Sequence, residues 1–178
     1  DVLDLIVRPV WLDLRGPDAS ARGIGDTALD GKWRFFDEGP LSFGLRAGLD
    51  LPTGHEGKGL GTGEVGYHGV LIATYAMEFL SLSANLGVLH VGNIPLQRQD
   101  LVLATVGVAW VAREGLQLTA EVAAASNPDP DRSTWPTVAR FGIIWTLDEH
   151  WDVDVGYQTR LNRAAPDAAI LAGATLRW

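Results

Sequence analysis

The chain has 178 residues, 47% of them hydrophobic, with a formal net charge of −8 and no cysteine. That length suits one domain over residues 1–178, and an all-β barrel of this size needs no second. The acidic balance argues against nucleic acid, which is held by a basic stripe. No apolar run approaches the ~18 residues of a membrane-crossing helix, and without cysteine there are neither disulfides nor thiolate metal sites. The sequence opens at Asp1 with no signal peptide in view, and reads as a processed product from whose start an export signal has been removed.

Val2 to Leu14 alternates loosely, with Leu3, Leu5, Val7, Pro9 and Trp11 against Asp4, Ile6, Arg8 and Val10. Residues 15–23 read as a polar loop. The hairpin from Gly25 to Pro52 carries the cleanest pattern: Leu29, Trp33 and Phe35 alternate with Asp26, Asp30, Lys32 and Arg34, and Leu41, Phe43, Leu45, Ala47 and Leu49 alternate with Ser42, Gly44, Arg46, Gly48 and Asp50. Successive side chains of a strand point to opposite faces, so each arm has one apolar face and one charged, small-residue face. Asp37–Pro40 is a turn of turn formers. Pro52–Gly63 reads as a glycine-rich external loop without core-forming residues.

Beyond it, Val65, Tyr67, Leu71, Ala73 and Tyr75 oppose Glu64, His68 and Thr74, and Leu80–Val88 alternates with Ser81, Ser83, Asn85 and Gly87. Leu101–Ala112 is apolar on both faces. Leu116–Val122, Ala139–Trp145, Trp151–Tyr157 and Ile170–Trp178 alternate again. This predicts about ten strands and no helix, with short connections at 37–40, 77–79, 113–115 and 148–150 and longer ones between them. An even number of antiparallel strands with short turns at one end is the pattern of an up-and-down transmembrane β-barrel.

A soluble barrel hides its apolar face, whereas a membrane barrel turns that face to lipid. Charges of both signs share the other face, as suits a lumen: Asp30, Lys32, Arg34, Arg46, Asp50, Glu64, His68, Glu121, Arg140, Asp154 and Arg160 are the expected lumen and pathway residues, with Asp26 beside them. Gly44, Gly48, Gly87, Gly142 and Gly156 fall on the same face, where a narrow interior needs small neighbours for large side chains. Trp33, Phe35, Tyr75, Trp110, Trp145, Trp151 and Trp178 cluster near the short turns as an interfacial girdle, opposed by a sparser set of Trp11, Tyr67 and Tyr157. A strand that finishes on Trp178 resembles the C-terminal signal read by the barrel assembly machinery. The expected partners are therefore outer-membrane lipid, that machinery and a small-molecule solute, in the outer membrane of a Gram-negative bacterium.

Several motifs carry less. Gly61-Thr-Gly-Glu-Val-Gly66 matches a dinucleotide fingerprint by letter, but an alternating strand follows where the mechanism needs a helix. His55, His68, His90 and His150 have no metal-pair spacing, and neither metal nor other cofactor is expected. His68 with Glu64 and Ser81 or Ser83 could form a lipid-modifying hydrolase, yet the serines sit in no nucleophile motif. Asp152 and Asp154 form a same-face pair that Arg140 or Arg177 would neutralise.

The run Gly23–Phe35, then Leu51-Pro-Thr-Gly54 and Gly59-Leu-Gly-Thr-Gly63, with Ser83–Gly87, Gly156-Tyr157, Leu161-Asn162 and Ala165-Pro166-Asp167, resembles the outer-membrane family named for the MetA pathway of phenol degradation. The resemblance implies an exported barrel that assists uptake of hydrophobic or aromatic compounds, and a parent of about twelve strands with one further N-terminal hairpin. The expected function is a non-enzymatic channel or transporter for small solutes. A closed structural or surface-binding barrel and an outer-membrane lipid-modifying enzyme are the alternatives.

Overall fold

The computed structural model describes residues 3–15, 20–92 and 96–176. The strands among them are β1 (Leu3–Arg8), β2 (Trp11–Arg15), β3 (Ser20–Ile24), β4 (Thr27–Glu38), β5 (Leu41–Leu51), β6 (Gly66–Ala76), β7 (Leu80–His90), β8 (Asp100–Arg113), β9 (Leu116–Ala125), β10 (Thr137–Thr146), β11 (Trp151–Arg160) and β12 (Ala168–Leu176). Ten of them make one antiparallel sheet in the order β1-β4-β5-β6-β7-β8-β9-β10-β11-β12. The all-β meander is as expected, and its turns alternate between two to four residues at one end and longer connections at the other.

The first connection differs from expectation. The segment from Val2 to Leu14 does not run as one strand, because Pro9 has no N–H to offer the ladder with β4, and the pairing stops at Arg8 opposite Ala28. Residues read as polar loop instead form β3, which pairs with β2 from Trp11 opposite Ile24 to Arg15 opposite Ser20. Trp11 therefore sits on this separate hairpin and not on the main sheet.

Residues 52–65 also fold more tightly than their glycines suggest. Asp26 accepts hydrogen bonds from the Gly54 N–H at 3.0 Å, the Thr62 N–H at 2.8 Å and the Thr62 hydroxyl at 3.1 Å. A Cβ on Gly61 would lie 2.3 Å from Asp26 Oδ1, so only glycine lets the loop backbone come this close. Leu60 is buried against Gly23 and Gly25 beside the small hairpin. Asp26 is thus the anchor of a loop rather than a charge of the concave face.

The main sheet curls into a half-barrel with β1 and β12 at its edges. The curl is visible in the side chains it gathers: Arg46 of β5 and Asp154 of β11 line one cavity, and Arg8 of β1 and Gln158 of β11 line another. The burial pattern is inverted relative to a water-soluble domain, whose large aliphatic side chains are the ones most often enclosed. Here Leu71, Val88, Val106 and Phe141 stand on the convex face at 57%, 61%, 60% and 54% exposure, while the one fully enclosed side chain among the described residues is the carboxylate Asp30.

Trp33, Phe35, Tyr75, Trp110, Trp145 and Trp151 are all exposed near the short turns; Trp178 lies outside the described residues. A register shift between Arg34 and Phe36 adds to this set. The extra residue of the bulge lets Phe35 pack on Trp33, with ring centroids 5.6 Å apart, while Phe36 packs on Phe43 at 5.5 Å. Nearer the long connections Tyr67 stacks on His90 with centroids 4.5 Å apart.

Candidate functional site: two cavities sharing a charged wall

The half of the concave face nearer β1 is organised by one buried carboxylate. Asp30 on β4 lies across Gly48 of β5 from His68 of β6, the three being in register. With no side chain on Gly48, Asp30 Oδ1 and His68 Nε2 meet at 2.6 Å. A Cβ there would stand 2.1 Å from Asp30 Oδ1 and 2.7 Å from the Leu29 carbonyl oxygen. The other carboxylate oxygen of Asp30 accepts from Arg8 Nε at 3.0 Å and lies 2.8 Å from Arg8 Nη2. His68 Nδ1 faces Asp50 Oδ2 at 3.0 Å. Both ring nitrogens thus meet carboxylate oxygens. The result is a connected row of polar side chains, Arg8–Asp30–His68–Asp50, spanning four strands.

The expected partner of His68 was Glu64, four residues away on the same face. The structure pairs it with Asp30 and Asp50 instead, and Glu64 sits exposed at the long-connection rim. Nor does it bring a serine to the ring. His68 is opposite Leu89, and Ser83 lies six residues further along β7, or ~20 Å at strand rise. A nucleophile–base pair needs hydrogen-bond reach, so His68, Ser81 and Ser83 do not assemble one.

On the other side of the curl, Arg140 of β10 stands in register between Glu121 of β9 and Gln158 of β11. Its Nη1 donates to Glu121 Oε1 at 2.7 Å and its Nε to Gln158 Oε1 at 2.8 Å. This corrects the expectation that Arg140 neutralises Asp152 or Asp154. A basic side chain directly opposite a carboxylate on the adjacent strand is the shorter reach. Arg177, the other expected partner, lies outside the described residues.

Two cavities open on the concave face. One, of about 630 Å³, lies toward the short turns and is lined by Ser81, Ser83, Thr119, Gly142 and Asp154. The second, of about 550 Å³, lies toward the long connections and is lined by Val70, Ile72, Leu103 and Val138 together with the polar Asn85 and Thr105. Arg46, Glu121 and Arg140 line both. They form a charged wall common to the two cavities, built by residues from β5, β9 and β10 that only the curl brings together.

The remaining expected pathway residues fall elsewhere. Lys32 faces Asp4 of β1 at 3.7 Å, and Arg34 faces Asp37 at 3.2 Å near the short-turn end. Arg160 pairs with Asp167 at the long-connection rim. Asp154 is in the wall of the first cavity. Arg8 and Gln158 were not expected in the site. Arg8 shares a strand face with Asp4, and that signal becomes readable once β1 is placed against β4. The apolar part of the second cavity's wall explains β8: Val102 and Val106 are exposed on its convex side, while Leu103 lines that cavity. A strand that faces apolar surroundings on both sides carries no alternation.

A family model described as Putative MetA-pathway of phenol degradation matches residues 2–178. No curated protein matches the chain.

Proposed function

The chain belongs to this family, whose model covers almost all of it, and from that premise we propose that it is an outer-membrane β-barrel of a Gram-negative bacterium that passes small solutes through its concave interior. The observation that carries the reading is the inversion of the sheet. Large apolar and aromatic side chains stand exposed on the convex face, and ion pairs and two cavities occupy the concave one. A surface of that kind is stable against lipid and costly against water. In this reading the short turns face the periplasm, the long connections face outward, and the exposed aromatics settle at the headgroup level. The protein acts by selective passage rather than by bond chemistry. Arg46, Glu121 and Arg140 are the residues that meet the solute in both cavities.

Conductance in planar lipid bilayers tests it. The purified protein, folded as judged by its shift in gel mobility on heating, is expected to open discrete conducting steps. Arg46→Glu is expected to move the reversal potential under a salt gradient toward cation preference, because it replaces the positive charge in the shared wall by a negative one. Folded protein that carries no current would sink the channel reading and favour a closed structural barrel.

A further inference from the structure

Arg46 differs from the other arginines on the concave face. Arg8 is held by Asp30 and Arg140 by Glu121 and Gln158, but among the described residues Arg46 makes no hydrogen bond or ion pair, and its Nε is buried without a partner. The carboxylates close enough to attract it are Asp30, Asp50 and Glu121. Each is already engaged, Asp30 by Arg8 and His68, Asp50 by His68, and Glu121 by Arg140. The enclosed Nε is out of a solute's reach, but the Nη end of the guanidinium has no partner among the described residues and borders both cavities, so it can take one from a solute. The planar guanidinium fork fits a carboxylate best, through two parallel charge-assisted hydrogen bonds.

The space beside Arg46 defines the rest of the ligand. The second cavity, about 550 Å³, has Val70, Ile72, Leu103 and Val138 in its wall beside the polar Asn85 and Thr105, and it reaches Arg46. That volume falls in the range of small-molecule sites, in which apolar walls supply affinity and a few polar groups fix orientation. An anion without an apolar body would leave those apolar side chains wet, and a neutral apolar molecule would leave Arg46 unanswered. We infer that the second cavity takes a small monocarboxylate with an apolar body, its carboxylate seated on Arg46 and its hydrocarbon against Val70, Ile72, Leu103 and Val138. This rests on the concave face being the solute path and names the class of solute held there.

Binding can be measured apart from transport. Isothermal titration of the full chain folded in detergent would compare cyclohexanecarboxylate with cyclohexanecarboxamide, which has the same shape and no charge. The carboxylate is expected to bind at least about tenfold more tightly. Arg46→Gln is expected to abolish the difference, and Arg160→Gln, at the rim, to leave it unchanged. Equal affinities, or no detectable binding of either compound, would overturn the inference, as would a preference that survives Arg46→Gln. The wild-type comparison decides the matter even if a variant fails to fold. The channel reading fails differently: no current would flow while the carboxylate preference persisted.

Discussion

Replacing Asp30 with alanine is expected to cost about 3–5 kcal/mol of folding free energy, the range for removing one partner of a buried ion pair. The size follows from how completely this carboxylate is enclosed and how much depends on it. Asp30 has no exposed surface, and both of its oxygens are occupied, one by His68 at 2.6 Å and the other by Arg8 at 2.8 Å and 3.0 Å. Alanine would strand an almost fully buried imidazole against a void and release Arg8 from the edge of the sheet. β1 would lose most, because Arg8 gives it the closest side-chain tie to the next strand, the exposed Asp4–Lys32 pair standing 3.7 Å apart. Unfolding by urea in phospholipid vesicles, followed by tryptophan fluorescence, measures this directly. Asp30→Asn keeps the shape and one acceptor, so it is expected to lose less. A loss below about 1 kcal/mol in the alanine variant, the value of an ordinary hydrogen bond, would show that the row of polar side chains does not hold the sheet.

The second large effect lies on the opposite face. Val106→Arg, at the middle of β8, is expected to destabilise the lipid-inserted protein by about 2–4 kcal/mol, the cost of an arginine facing the bilayer midplane of a barrel. Val106 is 60% exposed and stands opposite Ala84 and Val122 on the flanking strands. In water an exposed valine on a sheet tolerates arginine within about 0.5 kcal/mol. The same substitution therefore separates a lipid-facing surface from a solvent-facing one. Refolding yield and unfolding free energy in vesicles are the measurements, and an effect within the water range would contradict the assignment of the convex face.

Much of this was legible in the chain. Period-two alternation placed most strands of the main sheet, β8 was read from its apolar run alone, and the short turns fixed their up-and-down order. What sequence could not supply was register and curvature. His68 and Asp30 lie two strands apart and meet only because Gly48 lies in register between them. A single sequence gives no offset between strands, so Glu64, the nearest carboxylate on the same face, looked the better partner. Arg46 lies four strands from Glu121 and five from Arg140 in the sheet, and only its curl turns them toward a common point.

Other misses have local causes. The β2–β3 hairpin is made of strands of five residues, of which β2 reads as the end of a longer first strand and β3 has the composition of a polar loop. Leu60, alone among glycines, carries no period, although it is the residue that closes the loop down. The apolar part of the second cavity's wall was hidden because the inner face was read from its charges and glycines, which pass over Val70, Ile72 and Val138.

The central claim is that the convex face meets lipid and the concave face meets water. Because the chain has no cysteine, single cysteines carrying a nitroxide can be placed one at a time along β7 in vesicle-reconstituted protein. Collisions with oxygen, which partitions into lipid, and with a water-soluble nickel chelate would then be read by paramagnetic resonance. At Leu82, Ala84, Leu86 and Val88 the account predicts high oxygen and low nickel accessibility, and at Ser83 and Asn85 the reverse, with a period of two residues. Nickel reaching the leucine and valine positions as freely as the serine and asparagine ones would contradict it.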